Sequence, residues 1–263
     1  MDLGLKNKVA LVTGASRGLG YATAHQLLLE GARVVINSRS VEKLEKAADK
    51  LKKETGGEVF MLDGDMADPA VPETLVTKTV EKYGGLDLLL TNAGGPPSGA
   101  FETFDDAAWE KAFHLVFLSH VRLIRAALPA LRKSDAASVL TVTSISTKQP
   151  ITNLILSNSL RLGTVGLTKS LALELGHEHI RFNSILPGWT VTERVTDLLG
   201  TRAQVNHTTI EEEERKQAAE SPLGRMATPE EFAKAAVFLL SPAASYLTGV
   251  MLPVDGGMYK ATL

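Results

Sequence analysis

The chain is 263 residues long, with 28 Lys and Arg against 30 Asp and Glu, a formal net charge of -2 and no cysteine. That balance gives no field to hold a polyanion and no basic stripe stands out, which excludes nucleic acid as a partner. The missing thiols exclude disulfides and thiolate zinc sites. The N-terminus carries no secretory apolar stretch and no run approaches membrane-spanning length, so a cytoplasmic chain without a membrane partner is expected.

Short apolar or β-branched runs alternate with longer helical patterns. In chain order, strands are expected at residues 8–12, 33–37, 58–62, 86–91, 138–143, 181–186 and 250–254. Most are continuous apolar runs, as strands covered on both faces require. Helices are expected at residues 18–29, 41–53, 72–83, 106–131 and 157–175. Around the last of these, Leu160, Leu162, Val165, Leu167, Leu171 and Leu175 read as buried on most of the circumference. Strand, helix and strand repeated in this way require right-handed crossovers and a parallel sheet. No linker or repeat divides the chain. The fold class is α/β, a single doubly wound Rossmann-type domain over residues 1–263 with helices on both faces.

Residues 189–221 interrupt the rhythm between a strand and the last helix. The acidic run Glu211–Glu214 within them reads as a solvated helix surface, while the segment as a whole follows a strand's carboxyl end, where such sheets bind ligands. A substrate lid is expected there. The last helix opens with Thr228 as cap, Pro229 in its first position and Glu231 completing a capping box.

The stretch "VALVTGASRGLG" joins the first strand to a helix, with Gly14, Gly18 and Gly20 spaced G-x-x-x-G-x-G. Gly14 permits a tight turn, Gly18 lets backbone approach a pyrophosphate at the helix N-terminus, and Gly20 allows close helix-to-strand packing. The second strand ends in "INSRS". A carboxylate there would grip a free ribose hydroxyl; Asn37, Ser38 and Arg39 stand instead, with Arg17 nearby. Two guanidinium groups unopposed by a carboxylate suit a 2'-phosphate, which favours NADP over NAD. After the third strand, Asp65 is offered to the adenine amino group and Met66 to the ring.

These motifs make the chain resemble the short-chain dehydrogenase/reductase family over nearly its whole length, most closely the 3-oxoacyl-carrier-protein-reductase-like branch. Thr13, Gly14, Ser16, Arg17, Gly18, Leu19 and Gly20 fall in its glycine motif, and "TNAG" is similar to its N-N-A-G segment, adding Asn92, Ala93 and Gly94. "LPGWTVT" is similar to its P-G-x-x-x-T stretch, which implies nicotinamide contacts for Pro187, Gly188, Thr190 and Thr192. "PLGRMATPEEFAKAAVFLLSPAASYLTGVMLPVDGG" is similar to its C-terminal signature. A homo-oligomer, a tetramer packed through residues 106–131 and 157–175, is a further implication of the resemblance.

The family transfers hydride with an Asn, Ser, Tyr, Lys set, and here the chain departs. Ser144 matches the serine; Ser157 stands where the tyrosine belongs, Arg161 where the lysine belongs, and Val116 at the Asn position. An aliphatic hydroxyl is several units less acidic than a phenol, each unit being worth about 1.4 kcal/mol, so Ser157 is a poor proton donor. Arg161 cannot relay a proton but offers a fixed fork of donors. A cavity is expected where the phenol ring would stand. His114, His120 and lid residue His207 are weighed as substitute donors and read more simply as packed or solvated; "HEH" (residues 177–179) reads as surface, and no metal is expected.

Three functions stay open on this sequence. The first is an NADP-dependent oxidoreductase acting on a small carbonyl or alcohol with an altered proton donor. The second is a catalytically silent NADP(H)-binding protein, a sensor or partner subunit. The third is a reaction on an anionic substrate whose charge Arg161 clamps.

Overall fold

Seven short strands, none longer than seven residues, carry side chains alternately to two faces, and both faces are apolar. The structure, a computed structural model, describes residues 1–262. The strands are β1 (Val9–Val12), β2 (Arg33–Ser38), β3 (Val59–Asp63), β4 (Leu88–Thr91), β5 (Ser138–Val142), β6 (Arg181–Pro187) and β7 (Met251–Val254). They form one wholly parallel sheet in the order β3-β2-β1-β4-β5-β6-β7. The order reverses between β1 and β4, which opens a crevice at their carboxyl ends.

On one face, α1 (Gly18–Leu29), α2 (Val41–Thr55) and α9 (Pro229–Leu240) lay Leu27, Leu44 and Phe232 over Ala10, Val12, Leu88 and Leu140. On the other, α3 (Val71–Tyr83), α5 (Ser119–Leu131) and α6 (Ile155–Leu175) lay Leu75, Leu123 and Ala172 over Leu11, Leu89, Val139 and Phe182. Phe182 and Phe232 are fully buried, one on each face, and truncating either to Ala costs about 3–5 kcal/mol. The doubly wound domain expected from the sequence is the fold observed.

Helix ends follow local chemistry. Gly56, with φ 66°, closes α2 in the left-handed conformation. The Thr228 and Glu231 box opens α9 as expected. An unforeseen second box, Thr209 with Glu212, opens α8 (Ile210–Glu220).

Four expectations need correction. The helix expected over 106–131 is α4 (Asp106–Phe113) and α5 joined by a π-helical turn, His114–Leu118. As a continuous 26-residue run it does have the length and mean hydropathy, 1.2, of a membrane span, but it packs on the sheet as a core helix. The leucines of α6 do not ring it with buried surface: the buried stripe is Leu156, Arg161, Thr164, Thr168 and Ala172, while Leu162 and Leu173 are 53% and 76% exposed. Residues 189–221 contain α7 (Glu193–Asn206) and α8. Within the acidic run, Glu213 is buried rather than solvated. Its Oε1 accepts from Asn206 at 3.2 Å, Thr208 at 2.7 Å and Lys216 at 2.6 Å, which ties α7 to α8. Those three donors hold its carboxyl down to about 2.

Candidate active site

The glycine loop is bound to the segment after β4 by one reciprocal pair. Thr13 Oγ1 donates to the Asn92 carbonyl at 2.9 Å and accepts from the Asn92 N–H at 2.9 Å. Asn92 Nδ2 donates to the Gly14 carbonyl at 3.4 Å, and a Cβ on Gly14 (φ 61°) would lie 2.8 Å from Asn92 atoms. Gly20 has a different reason from the expected one: its Cβ would stand 2.4 Å from the Gly14 carbonyl oxygen, so the residue lets the helix fold back on its own loop. No side chain caps α1, which leaves its first N–H groups free in the crevice for an anion. Leu19 packs into the core beneath.

The end of β2 is tied to the same loop. Ala15 N–H donates to the Asn37 carbonyl at 2.9 Å, and Ser38 Oγ to Ser16 Oγ at 2.9 Å. Asn37 itself is buried, its Nδ2 spent on the Leu62 and Gly64 carbonyls, so it positions the crevice wall. Arg17 and Arg39 are exposed but, against expectation, each faces a carboxylate. Arg17 is ion-paired with Glu193, and Arg39 Nη1 lies 3.7 Å from Asp65. Asp65 also caps the Ala67 N–H at 2.9 Å, and Met66 is buried beside it. Exposed pairs of this kind are worth about 0–1 kcal/mol, too little to bar a doubly charged phosphate from both guanidiniums. Ala93 is buried, whereas at Gly94 a Cβ would meet nothing.

Beyond β6, Gly188 lies so close to Asp255 that a Cβ would be 2.8 Å from its Cα. Thr190 Oγ1 donates to the Gly188 carbonyl at 3.4 Å, and the neighbouring Trp189 and Val191 exchange backbone bonds with Ala227. Thr192 caps α7 through the Val195 N–H at 3.3 Å. Pro187 ends β6 at the same rim.

The chemical corner sits across the crevice. Ser144 follows β5, and its Oγ accepts from the Ser146 N–H at 3.1 Å, which leaves the hydroxyl proton to donate. Arg161 is 8% exposed; its Nε donates to Ser157 Oγ at 3.2 Å and its Nη1 to the Val142 and Thr143 carbonyls at 3.1 and 3.3 Å. Burial, then the charge of Arg194, brings the Arg161 guanidinium down to about 10. Val116, at the Asn position, is wholly buried inside the π turn, and Thr164 Oγ1 donates to its carbonyl at 3.1 Å.

His120 is fully buried beside this corner. Its Nδ1 bonds Thr91 Oγ1 at 2.7 Å, Nε2 has no partner among the described residues, and burial followed by the Arg161 charge pushes it down to about 3. A neutral histidine of this kind is no proton donor at ordinary pH. His114 and His207 are exposed, and among the described residues no group of side chains is arranged to hold a metal.

A cleft of about 690 Å³ lies between α7 and α8 and the loops around Ser98–Ala100 and Gln149–Leu154. A larger one, about 930 Å³, lies between α3 and α5, away from this chemistry. The first lies beside the loops that follow β4 and β5 at the sheet's carboxyl edge, and neither Ser144 nor Arg161 is among its lining residues. Sequence reasoning missed Arg194, whose Nη2 donates to the Pro96 carbonyl at 2.7 Å, because no local spacing announces a contact 98 residues away. Asp255 was legible only as part of the C-terminal signature.

A family model described as enoyl-(acyl carrier protein) reductase matches residues 14–259. L-rhamnose 1-dehydrogenase (NAD(P)(+)) from Sphingomonas sp. (strain SKA58) is 33% identical over 258 residues, 97% of each chain. The chain belongs to the short-chain dehydrogenase/reductase family. Within this oxidoreductase family it is similar in structure to L-sorbose reductase from Gluconobacter frateurii complexed with NADPH and L-sorbose. That match has TM-score 0.94 and 32% identity, and covers 99% of this chain and 100% of the other. It is also similar to an NADPH-bound short-chain oxidoreductase from Pseudomonas aeruginosa PAO1 that contains an atypical catalytic center. There the TM-score is 0.89, the identity 29% and the coverage 98% and 100%.

Proposed function

We propose that this short-chain dehydrogenase/reductase uses NADPH, in preference to NADH, to interconvert a small carbonyl compound and its alcohol without a phenolic acid. The observation that carries the reading is the buried Arg161 on α6, one turn from Ser157, with its Nη1 bonded to the Val142 and Thr143 carbonyls that lead into Ser144. The uncapped N-terminus of α1 and the glycine loop fit a pyrophosphate. Arg17 and Arg39, both exposed, flank the place for a 2'-phosphate once their carboxylates are displaced. When bound, the nicotinamide supplies the hydride.

Ser144 donates to the substrate oxygen and orients the carbonyl. Arg161 stabilises the negative charge that develops on that oxygen, the larger of the two effects in a dry site. The electron pair of the C=O bond moves to oxygen, and the proton comes from water, because neither Ser157 nor neutral His120 is acidic enough. Leu162 and Leu173, exposed on α6, are covered by further copies in a homotetramer in the cytoplasm.

A second reading, an NADP(H)-binding protein without turnover, is favoured by one observation: Nε and Nη1 of Arg161 are already committed to Ser157 and strand carbonyls. Titrating the purified protein with NADPH and NADH, then adding ketones, quinones and oxo acids, separates the two. Tight NADPH binding with oxidation by at least one carbonyl supports the enzyme. Tight binding with no turnover across the panel supports the silent protein.

A further inference from the structure

Arg202 on α7 lines the cleft of about 690 Å³. Its guanidinium stands over the Trp189 ring, with Cζ 4.9 Å from the ring centroid. Trp189 lies just beyond β6, and its Nε1 donates to Glu220 Oε2 at 3.1 Å, so the last residue of α8 holds the platform in place. Stacking occupies the flat face of a guanidinium and leaves the donors in its plane for other partners. Among the described residues Arg202 makes no hydrogen bond and no ion pair. The opposite wall of the cleft, Gln149–Leu154, runs from the Ser144 turn into α6, the helix of Ser157 and Arg161.

Four charged side chains line this cleft. Glu213 is neutralised by Lys216 at 2.6 Å, and Glu220 accepts from the Trp189 indole. Arg202, and Lys260 beyond β7, have no carboxylate within ion-pair distance among the described residues. The uncompensated charge of the cleft is therefore positive. Burial pulls the Arg202 guanidinium below its ordinary value although Glu220 and Glu213 act the other way, so these carboxylates do not replace the water it has lost. A half-buried cation already fixed on a ring loses little freedom when an oxyanion arrives, and the paired oxygens of such a group match its fork.

We infer that Arg202, seated on Trp189, binds an anionic group of the substrate, a carboxylate or a phosphate ester, joined through a spacer to the carbonyl that meets Ser144. The spacer is required because neither Ser144 nor Arg161 lines the cleft that Arg202 lines. This rests on the oxidoreductase reading above and narrows it to acidic carbonyl compounds whose charge is remote from the reacting carbon. Arg202 is then a specificity residue, Trp189 its support, and Glu220 an opposing charge that limits the affinity.

4-Acetylbenzoate, 4-acetylphenyl phosphate and the neutral methyl 4-acetylbenzoate are titrated calorimetrically into the protein with and without NADP⁺, and NADP⁺ itself is titrated into each variant. In the unaltered protein at least one anion is expected to bind ~10-fold or more tightly than the ester, and the stronger of the two tells carboxylate from phosphate. Arg202→Gln should cut that preference below ~3-fold while the affinities for the ester and for NADP⁺ stay within ~3-fold, and Arg202→Lys should retain part of the preference. Glu220→Gln removes the opposing charge and keeps an acceptor for Trp189, so it should tighten anion binding by up to ~3-fold. Equal binding of anions and ester overturns the inference, as does an anion preference that survives Arg202→Gln. A loss of anion and ester alike in Arg202→Gln also overturns it, because Arg202 then only shapes α7. Failure of NADP⁺ to bind the unaltered protein, with the Arg202-dependent preference intact, overturns the oxidoreductase reading and leaves the anion site standing.

Discussion

Arg17 in the glycine loop is ion-paired with Glu193, the first residue of α7, across 176 residues of sequence. The pair joins the glycine loop to α7. A phosphate arriving at Arg17 must compete with Glu193, and because the pair is exposed the competition costs no more than about 1 kcal/mol. Glu193→Gln is therefore expected to tighten NADPH binding by up to about fivefold. A weakening of NADPH binding in that variant would show that Glu193 assists rather than opposes the cofactor.

The 2'-phosphate assignment makes a sharper demand. Arg39→Ala should weaken NADPH by about 1–3 kcal/mol, the scale of a charge-assisted contact, and leave NADH within about twofold. Arg39 now faces only Asp65 at 3.7 Å, so little structure is lost with it. Equal losses for both dinucleotides, measured by fluorescence titration, contradict the assignment.

Ser144 and Arg161 are expected to carry the carbonyl chemistry. Ser144→Ala and Arg161→Ala should each lower kcat/KM by about a hundredfold, near 2.7 kcal/mol, whereas Ser157→Ala should cost less than about tenfold. Ser157 Oγ accepts from Arg161 Nε, so its loss frees one donor of a guanidinium that keeps its bonds to β5. Full activity in Ser144→Ala, or a large loss confined to Ser157→Ala, would contradict this division. Arg161→Lys serves as the folded control, since it keeps a buried cation without the fork.

His120 links stability to pH. Its ordinary value is 6.5 and burial lowers it to about 3 in the fold. The unfolded chain therefore takes up a proton that the folded chain refuses. The stability this group contributes is complete above pH 6.5 and is lost as pH falls from there toward about 3. Each unit in that window costs about 1.4 kcal/mol. In urea denaturation between about pH 6.5 and pH 4.5, a His120→Gln variant should lose less stability than the unaltered protein by roughly that slope. Parallel curves would contradict a buried neutral His120.

Leu162 and Leu173 on α6, and the stacked pair Phe113 and Phe117 at 5.3 Å, leave apolar surface uncovered in one chain. The homotetramer proposed above would cover it. Light scattering at micromolar concentration should give four chains, and Leu173→Glu, a charge placed on a residue 76% exposed here, should shift the assembly toward smaller species. A monomer in the unaltered protein contradicts the expectation.

Most of the fold was legible because its signals are local. The bounds of α1 follow from the glycine run at Gly18, and β1 to β7 announce themselves as apolar runs between turn residues. The capping box at Thr228 is a four-residue pattern and was read correctly. What stayed hidden depends on partners far along the chain. Nothing in "EEEE" distinguishes buried Glu213 from its solvated neighbours until Asn206, Thr208 and Lys216 close around it. The π turn at His114–Leu118 has no composition of its own; it is visible only once Thr164 meets the Val116 carbonyl. In the site, Ser157 and Arg161 were legible as a polar pair one turn apart, and a hydrogen bond joins them. The carboxylates facing Arg17 and Arg39 were not, because both contacts are made in space.

The central claim is that hydride passes in a site whose chemistry rests on Ser144 and Arg161 instead of a tyrosine. NADPH deuterated at nicotinamide C4 on the transferring face, incubated with the protein and the carbonyl panel, tests it most directly by mass spectrometry of the alcohol products. The account predicts deuterium on the carbinol carbon of at least one product, retained in Ser157→Ala and reduced about a hundredfold in rate in Ser144→Ala and Arg161→Ala. No deuterated alcohol from any carbonyl, with NADPH tightly bound, would contradict it.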